Sequence, residues 1–538
     1  MLQKITKCDS LAGTSRNFSR LVVRCAVRNF PNVDQGSIQK PFSEVPKIPA
    51  FPVIGSSWAY APLWGKYDRH DINKAAWEIY HEYGPVVAET LPGRRILVHL
   101  FSADDFRTLY QEEGRTPYRM GAQPFKWYHD TRAEYFSNPG LINAQNEQWQ
   151  QIRAMAQPST LRPRAVDSYA EGITEAARSV VEYVARQRDK DGYVSNCEVV
   201  MNKWALESIM MASLGKKLGL LDGNVKRDAE AETIFNAVER IFNGLDSLVT
   251  YFPYYRYFST PTSRSFNGAG DNLVPLLFRM TEEAVAEAQT RRKSNQSSTI
   301  LQHLLSNQEA DLKDIFTFIH DVVISGANTT GTAATFALYH LATNPEVQAK
   351  AREEVLSSLS DQPPEGTQPS GPNALPYLKA CMKETLRFHP IIPGVNLKLK
   401  RDVIMSGYCI PANVVLRTEW YVAGRLEENF SRATTFLPER WLQRSSEQQH
   451  HSGKAELWTL HPFASLPFGT GPRTCIGKRI AEMELCTLLA QVLKRYRVQS
   501  HHGDIGFRTQ ATGRADRPVT LQFSDLESTV SSLPKYVE

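Results

Sequence analysis

The stretch PFGTGPRTCIGKRIAEMEL, Pro467–Leu485, places three glycines, two prolines and a cysteine directly before an amphipathic helical pattern. Gly469 and Gly471 allow a tight turn, because glycine adopts backbone angles that other residues avoid. Cys475 stands at the start of the predicted helix, where free N–H groups and the positive end of the helix dipole favour a thiolate. The stretch therefore predicts an activated cysteine that acts either as a nucleophile or as a metal ligand.

The two roles of Cys475 need different neighbours. A nucleophile needs a base, and the histidines nearest in sequence, His450, His451 and His461, lie in or beside a polar loop, although a distant histidine could approach in the fold. Haem iron needs only one thiolate, because the porphyrin supplies four in-plane donors. Arg473 would then meet a haem propionate in a charge-assisted contact.

The cysteines of the chain indicate a reducing compartment such as the mitochondrial matrix. Their number is odd, and they form neither a CxxC pair nor a Cys/His spacing suited to zinc. We expect most of them to be small buried apolar residues. The seven are Cys8, Cys25, Cys197, Cys381, Cys409, Cys475 and Cys486.

The composition is that of a folded protein, with 42% hydrophobic and 22% charged residues. The net charge of +5 arises entirely in residues 1–40, which contain seven basic and two acidic residues. The remainder is neutral, so we expect no nucleic-acid partner.

Residues 1–40 resemble a mitochondrial transit peptide. They are rich in arginine and in hydroxyl residues, and their longest apolar run is LVV, too short for a secretory signal or a spanning helix. A disordered basic tail is the alternative interpretation. We expect residues 41–538 to form a single domain.

The fold is predicted to be mainly α with small β-sheets, because helical periodicity dominates and short strand-like segments appear beyond residue 395. The longest candidate helix runs from Asp311 to Pro345, and its centre, SGANTTGT, is too polar to favour a membrane span. We expect a buried central helix. Gly326 and Gly331 predict either a local kink that opens a groove or an irregularity tolerated by packing against another helix.

The loop FGTGPRTCIG, Phe468–Gly477, resembles the haem-binding loop of the cytochrome P-450 monooxygenases. The resemblance extends over residues 41 to about 525, with four further motifs in the family's order: WQQIR (Trp149, Arg153), SGANTTGT, KETLR (Glu384, Arg387) and FLPERW (Arg440).

This resemblance implies the cytochrome P-450 fold, with haem b held between the central helix and the cysteine loop. It implies that Cys475 is the axial ligand of the iron. It also implies a buried cluster of Glu384, Arg387 and Arg440, whereas the pair Glu384 and Arg387 alone would suggest a solvated surface contact. The residues expected to bind the cofactor are Trp149, Arg153, Phe468, Gly469, Arg473, Cys475 and Gly477.

The family's reaction inserts one atom of dioxygen into a C–H bond of a substrate. Thr329 is expected to orient protons toward the bound oxygen. The preceding residue is usually an acid in the family, but here it is Asn328, whose amide cannot carry a proton as a carboxylate does. Leu397 is a second departure, because the family commonly has an arginine there that reaches a propionate; Lys398 is a possible replacement.

The chain resembles the animal mitochondrial branch of the family, which implies a location on the matrix side of the inner membrane. Electrons would come from NADPH through a ferredoxin reductase and an acidic [2Fe–2S] ferredoxin. Ordinary surface solvation is the other interpretation of two of the basic residues, Lys379 and Lys383. The expected ferredoxin contacts are Lys379, Lys383, Lys478 and Arg479.

The substrate is expected to be lipophilic, either a steroid or ecdysteroid or a foreign compound. Its contacts would come from residues 119–130, Phe316–Thr329, 391–395 and 508–513, which are apolar to mildly polar. The aromatic stretch Tyr251–Phe258 rests on a bilayer surface, giving peripheral membrane contact, or lines the entry channel, or lies in the core. Two alternatives remain open: an enzyme that rearranges peroxides without external electrons, and a non-catalytic haem-thiolate sensor.

Overall fold

The structure is a computed structural model that describes residues 39–222, 229–248, 253–290, 298–306, 311–358, 375–442, 460–501 and 503–526. Almost all of the predicted transit peptide lies outside these residues, as do His450, His451 and the first two residues of the aromatic stretch 251–258.

The described chain is dominated by helices, as predicted. They surround one long helix, Leu312–Thr343, called the central helix below. The other α-helices are Ile72–Tyr83, Ala103–Glu112, Gln123–Asp130, Gly140–Asn143, Asn146–Leu161, Pro163–Asp167, Ala170–Gln187, Cys197–Leu214, Ala229–Leu248, Pro261–Thr290, Ile300–Leu305, Pro345–Ser358, Pro376–Phe388, Trp420–Ala423 and Lys478–Arg495.

The strands form one larger and three small sheets among the described residues. A five-stranded sheet has the order β1-β2-β8-β5-β3, a three-stranded sheet the order β4-β12-β9, and two pairs, β6-β7 and β10-β11, complete the set. The strands are β1 Val86–Leu91, β2 Arg95–Leu100, β3 Tyr118–Arg119, β4 Tyr193–Val194, β5 Asn396–Lys398, β6 Val403–Met405, β7 Tyr408–Ile410, β8 Val415–Thr418, β9 Tyr496–Gln499, β10 Phe507–Thr509, β11 Gly513–Ala515 and β12 Leu521–Asp525.

The central helix matches the predicted span of Asp311–Pro345 and is buried along most of its length. No helix in the described part of the chain is long and apolar enough to cross a membrane. One large cluster of buried apolar residues packs around the first half of the central helix, and a second packs around its second half. The prediction of a buried central helix is therefore confirmed.

The two glycines of the central helix are explained by packing. A Cβ at Gly331 would lie 2.1 Å from Asn202 Oδ1, and one at Gly326 would lie 3.1 Å from Ile209 Cγ1. Both glycines thus let the helix Cys197–Leu214 approach closely. The central helix is unbroken here, although the hydroxyl of Thr329 donates to the Ser325 carbonyl, four residues earlier, a contact that tends to bend helices.

The helix Lys478–Arg495, called the cysteine helix below, joins both large core groups. Ile480 and Met483 pack with the first half of the central helix, while Leu488 and Leu489 pack with its second half. Each fully buried leucine of this kind contributes about 1.5–3 kcal/mol. This packing fixes the cysteine loop against the centre of the molecule.

Candidate active site

The cysteine loop is a compact turn closed by backbone hydrogen bonds. The N–H of Cys475 donates to the carbonyl of Phe468 at 2.8 Å, and the N–H of Thr474 donates to that of Gly471 at 3.1 Å. Gly469 and Gly471 have φ of +65° and +74°, which only glycine adopts without strain. The loop thus delivers Cys475 to the start of the cysteine helix, as the sequence predicts.

Cys475 is the one exposed cysteine among those that the structure describes. Cys197, Cys381, Cys409 and Cys486 are buried, which confirms the prediction that most are small apolar residues. The Cys475 thiol is accessible and yet closely surrounded by protein atoms. These two observations agree if the thiol faces an internal space, and we infer that it does.

The surroundings of Cys475 in the protein alone do not activate its thiol. Burial raises the pKa of the Cys475 thiol, and the Gly477 N–H, Arg153 and Lys478 offset this only in part. Desolvation of the charged form therefore outweighs the helix N-terminus. A bound metal ion deprotonates a coordinating thiol outright, so this environment suits a metal ligand better than a free nucleophile.

The face of the loop beside the thiol is open enough for a flat group. A Cβ at Gly469 would meet nothing within 4 Å, and one at Gly477 would meet only Cys475 Sγ at 4.0 Å. Neither glycine is needed for packing within the protein. Their open faces fit a planar macrocycle lying against the backbone.

The predicted cofactor residues lie together beside this face. Arg473 Nη2 donates to the Ala144 carbonyl at 2.6 Å, and its guanidinium carbon lies 4.5 Å from the centre of the Trp149 ring. Arg153 Nη1 donates to the Thr474 carbonyl at 2.8 Å. The helix Asn146–Leu161 and the cysteine loop thus hold each other in place.

This region carries an excess of buried positive charge. Burial, with the neighbouring charges of Arg119 and Arg153, lowers the pKa of Arg473 to about 9, and Glu113 opposes the shift. Arg473 Nε and Arg119 Nη1 are buried and have no hydrogen-bond partner. Three guanidinium groups beside one carboxylate, with donors unsatisfied, fit a ligand bearing carboxylates, as haem does.

Arg119 was missed by the sequence analysis, which placed it only in a substrate loop. It lies on β3, and its Cα pairs with that of Leu397 on β5. Leu397 is fully buried in the core, while Lys398 lies over the Tyr118 ring. The family commonly has an arginine at the position of Leu397. Arg119, on the neighbouring strand, therefore supplies a guanidinium group that Leu397 cannot. Only the pairing of β3 with β5 reveals it.

Glu384, Arg387 and Arg440 form the buried cluster that the resemblance implied, called the Glu384 cluster below. Glu384 Oε1 lies 2.7 Å from Arg387 Nη2 and 3.1 Å from Arg440 Nε, with all three side chains closed to solvent. The indole N–H of Trp441 and the Leu437 N–H also donate to Glu384. The interpretation as a solvated surface pair is wrong, because tertiary packing buries both groups.

Asn328 and Thr329 lie half-buried on the central helix. Ala327, the preceding residue, packs in the same apolar group as Ile480 of the cysteine helix. The Thr329 hydroxyl donates to the Ser325 carbonyl at 2.7 Å, which leaves its oxygen free to accept a hydrogen bond. The two residues thus occupy the stretch of the central helix that approaches the cysteine helix.

Glu484 is a buried acid that the sequence analysis did not identify. It lies on the cysteine helix, and burial raises its pKa to about 8, with the nearby hydroxyls of Ser208 and Thr330 offsetting the shift only in part. Its Oε1 has no hydrogen-bond partner. In the sequence, Glu484 could have been recognised only because the helical periodicity places this acid on the buried face of the helix.

The four predicted ferredoxin contacts lie on two helices that pack together. Lys383 and Arg479 are exposed, and Lys379 and Lys478 are half-buried. Met382 and Cys486, one from each helix, touch through their sulfur atoms at 3.3 Å. A shared basic surface is compatible with this arrangement.

The segments expected to contact substrate come together in pairs. Residues 123–130 form a helix whose His129 ring lies 5.1 Å from that of His320 on the central helix. The Gly513 N–H donates to the Ile391 carbonyl at 2.7 Å. Distant parts of the chain therefore meet near the central helix.

Comparison with known proteins defines the class of the protein. A sequence model described as Cytochrome P450 matches residues 46–521. The chain belongs to this family, and it is accordingly a haem-dependent monooxygenase with haem b as its cofactor.

The chain is similar to cytochromes P450 from animals, several of which are named as mitochondrial. Probable cytochrome P450 12a5, mitochondrial, of Drosophila melanogaster is 31% identical over 512 residues, which cover 93% of each chain. Probable cytochrome P450 301a1, mitochondrial, of the same species is 27% identical over 90% of this chain and 87% of that protein. The 1,25-dihydroxyvitamin D(3) 24-hydroxylase, mitochondrial, of Mus musculus is 27% identical over 83% of this chain and 82% of that protein.

Proposed function

We propose that the protein is a mitochondrial monooxygenase that hydroxylates a lipophilic small molecule with electrons from a [2Fe–2S] ferredoxin. The observation that carries the proposal is the exposed thiol of Cys475 beside the buried guanidinium groups of Arg119, Arg153 and Arg473. Several relatives named as mitochondrial support the location.

The protein's residues would hold the cofactor from two sides. Cys475 ligates the iron, and Phe468, Gly469 and Gly477 flank the macrocycle. Arg153 and Arg473, with Trp149 stacked on the latter, bind the propionates; Arg119 adds a third charge. When bound, haem b supplies dioxygen activation and transfer of one oxygen atom into a C–H bond, while the second atom leaves as water.

On the side of the site opposite Cys475, residues of the central helix would position the water molecules that carry protons. The Thr329 hydroxyl donates to Ser325 O, so its lone pairs can accept a hydrogen bond from water. Asn328 can orient a water molecule through its amide but cannot deliver a proton itself. Proton delivery then depends on water held at Thr329 or on the neighbouring Thr330.

Thiolate ligation is tested by the ferrous carbon monoxide spectrum. We expect Cys475→Ala to abolish the thiolate-type spectrum, and the matched variant Cys197→Ala, which alters a buried cysteine, to retain it. An unchanged spectrum in Cys475→Ala, or a wild type without haem, would contradict the assignment.

The role of Asn328 is tested by coupling efficiency. We expect Asn328→Asp to bind haem normally and to change the ratio of product formed to NADPH consumed, because a carboxylate carries a proton that an amide does not. A ratio equal to that of the wild type would remove Asn328 from the proton path.

The electron donor is tested by reconstitution with ferredoxin, its reductase and NADPH against a panel of sterols and foreign compounds, read by mass shift. We expect turnover to depend on ferredoxin and to fall with salt, since exposed charge pairs are screened. Lys383→Glu and Arg479→Glu should raise the KM for ferredoxin, whereas Lys74→Glu, on the distant helix Ile72–Tyr83, should not. Turnover without electrons would favour peroxide rearrangement instead.

The proposal also places the protein on the matrix side of the inner membrane, in peripheral contact with it. Within the aromatic stretch the core interpretation holds for Tyr255, which is buried, while Tyr257 and Phe258 are exposed. A second set of exposed apolar residues near the beginning of the described chain was not predicted. It comprises Phe51, Val53, Ile54, Leu63 and Trp64.

These side chains have the character of an interfacial contact. We expect Leu63→Glu with Trp64→Glu to release the protein from liposomes of inner-membrane composition in a flotation assay. Unchanged flotation would exclude this surface.

A further inference from the structure

His129, His320 and Asp321 form a polar group in an otherwise apolar part of the core, and none of the three is among the residues assigned to haem. One ligand atom from each residue lies within 4.8 Å of the other two. Both histidines are buried, with 2% of each residue exposed. Two imidazoles and one carboxylate are a donor set that divalent transition metals favour.

Three of the four ring nitrogens of the two histidines lack a well-formed hydrogen bond in the protein. They are Nδ1 of His320 and both ring nitrogens of His129, beside which the Pro139 carbonyl is the nearest backbone acceptor, and a buried polar atom without a partner is costly. His320 Nδ1 lies 3.8 Å from Asp321 Oδ1, too far for a hydrogen bond. The nitrogens are thus available to a ligand that is small enough to fit between the three groups.

The loop around Gly140 orients the carboxylate. The N–H of Leu141 donates to Asp321 Oδ2 at 2.7 Å, which leaves Oδ1 on the side of His320. A Cβ at Gly140 would lie 2.4 Å from Asp321 Oδ2, and its φ is +76°, so glycine is needed for this approach. Backbone hydrogen bonds of this kind typically position metal-ligating carboxylates.

Aromatic packing orients the imidazoles. The ring of Phe136 stacks on that of His129 with centroids 3.9 Å apart and meets His320 edge-on at 5.0 Å. The two imidazole rings themselves lie 5.1 Å apart between centroids, at an angle of 65°.

We propose that His129, His320 and Asp321 bind one divalent transition-metal ion, for which zinc is the probe. The ion would tie the helix Gln123–Asp130 and the loop at Gly140 to the central helix. If the three ligand atoms were all 4.8 Å apart, a metal ion at equal distance from them would lie about 2.8 Å from each. Zinc sites have distances of about 2.0–2.2 Å to nitrogen and oxygen ligands, so small rotations of the side chains would complete the geometry. A cavity of about 470 Å³, lined partly by His129, Asn138 and Pro139, lies beside the group on the side of His129.

The test uses tag-free holoenzyme treated with a chelator, incubated with zinc and desalted, with zinc and haem iron counted by mass spectrometry. We expect one zinc per haem iron. Asp321→Asn keeps an oxygen for the Leu141 N–H but removes the charge, and His320→Gln removes a nitrogen donor. We expect each to weaken zinc binding by at least about tenfold in competition with a chelator of known affinity.

The matched control is His303→Gln, which alters a half-buried histidine outside the group with an unpartnered Nε2; it should leave zinc affinity unchanged. Zinc X-ray absorption on the wild type should show two imidazoles and oxygen without sulfur. Failure to retain zinc, sulfur ligation, or equal affinity in Asp321→Asn would overturn the proposal. The carbon monoxide spectrum of each variant reports the haem site separately, so failure of the metal site leaves the proposed function standing.

Discussion

The molecule contains two buried clusters of charged residues that differ in how they are built. In the Glu384 cluster, one carboxylate serves two guanidinium groups and two further N–H donors. In the second cluster, called the His99 cluster, His99 Nδ1 donates to Glu419 Oε1 at 2.7 Å and Nε2 to Glu89 Oε2 at 3.0 Å, with all three residues buried. One acid serves two bases in the first, whereas in the second an imidazole lies between two acids, one of which also pairs with Arg417.

The difference lies in which group can lose its charge. A guanidinium group ordinarily keeps its proton to above about pH 12, and in the Glu384 cluster the carboxylate of Glu384 opposes the lowering of the Arg440 pKa by burial. Burial acts to lower the pKa of His99, but its hydrogen bonds to Glu419 and Glu89 outweigh burial and raise it to about 9. The His99 cluster is therefore expected to be more sensitive to alkali than the Glu384 cluster.

The largest expected effect comes from Glu384→Gln. It leaves Arg387 and Arg440 buried without a counter-charge, which costs about 3–5 kcal/mol. We expect little holoprotein on expression and a lower urea midpoint, followed by haem absorbance. Glu82→Gln, which breaks the exposed pair with Lys66, should shift the midpoint by less than about 1 kcal/mol; equal effects from the two variants would contradict the cluster's structural role.

His99→Gln should destabilise less, by about 2–4 kcal/mol at pH 7, because Arg417 Nε remains 2.8 Å from Glu419 Oε1. Adding Glu89→Gln to this variant removes the carboxylate left without its cation and should recover part of the loss. A double variant less stable than His99→Gln alone would show that the charge of Glu89 is not the source of the cost.

Alkaline pH should separate the two clusters. The pKa of His99 is raised in the folded state, so its stabilisation is complete below the unfolded value near 6.5 and is lost as pH rises through about 9. We expect the wild type to lose about 1–2 kcal/mol between pH 7 and 9 relative to His99→Gln, measured from urea midpoints. Parallel pH profiles would refute the assignment.

Glu484→Gln should have the smallest effect and the opposite sign. The raised pKa of Glu484, about 8, means that the unfolded chain loses its proton first, so the native carboxyl costs stability above about pH 4.5. Replacing it with an amide removes this loss, about 4 kcal/mol at pH 8, but leaves a buried polar amide that itself costs about 1–3 kcal/mol, so we expect a net stabilisation of about 1 kcal/mol or more at pH 8. A lower melting temperature than wild type at that pH would indicate that the carboxyl is required in another way.

The Glu384 cluster was predictable and the His99 cluster was not, for a physical reason. Glu384 and Arg387 are three residues apart on one helix, so their contact is local, whereas the burial of this pair and its contact with Arg440 were implied by the family resemblance. Glu89 and His99 lie on paired strands, and Glu419 lies more than 300 residues further along the chain. Their meeting depends on the register of β1 and β2, which no local pattern displayed.

The sequence by itself determined the cysteine loop and the central helix, because each rests on short-range spacing, and its resemblance to a known family supplied the residues expected around haem. Tertiary structure decided that Arg119 lies opposite Leu397, that burial raises the pKa of Cys475, and that His129 meets His320 and Asp321. These outcomes depend on strand pairing, desolvation and contacts between distant segments. Strand pairing, desolvation and long-range contacts form only when the whole chain folds and buries these groups away from water. Short sequence motifs therefore do not reveal them.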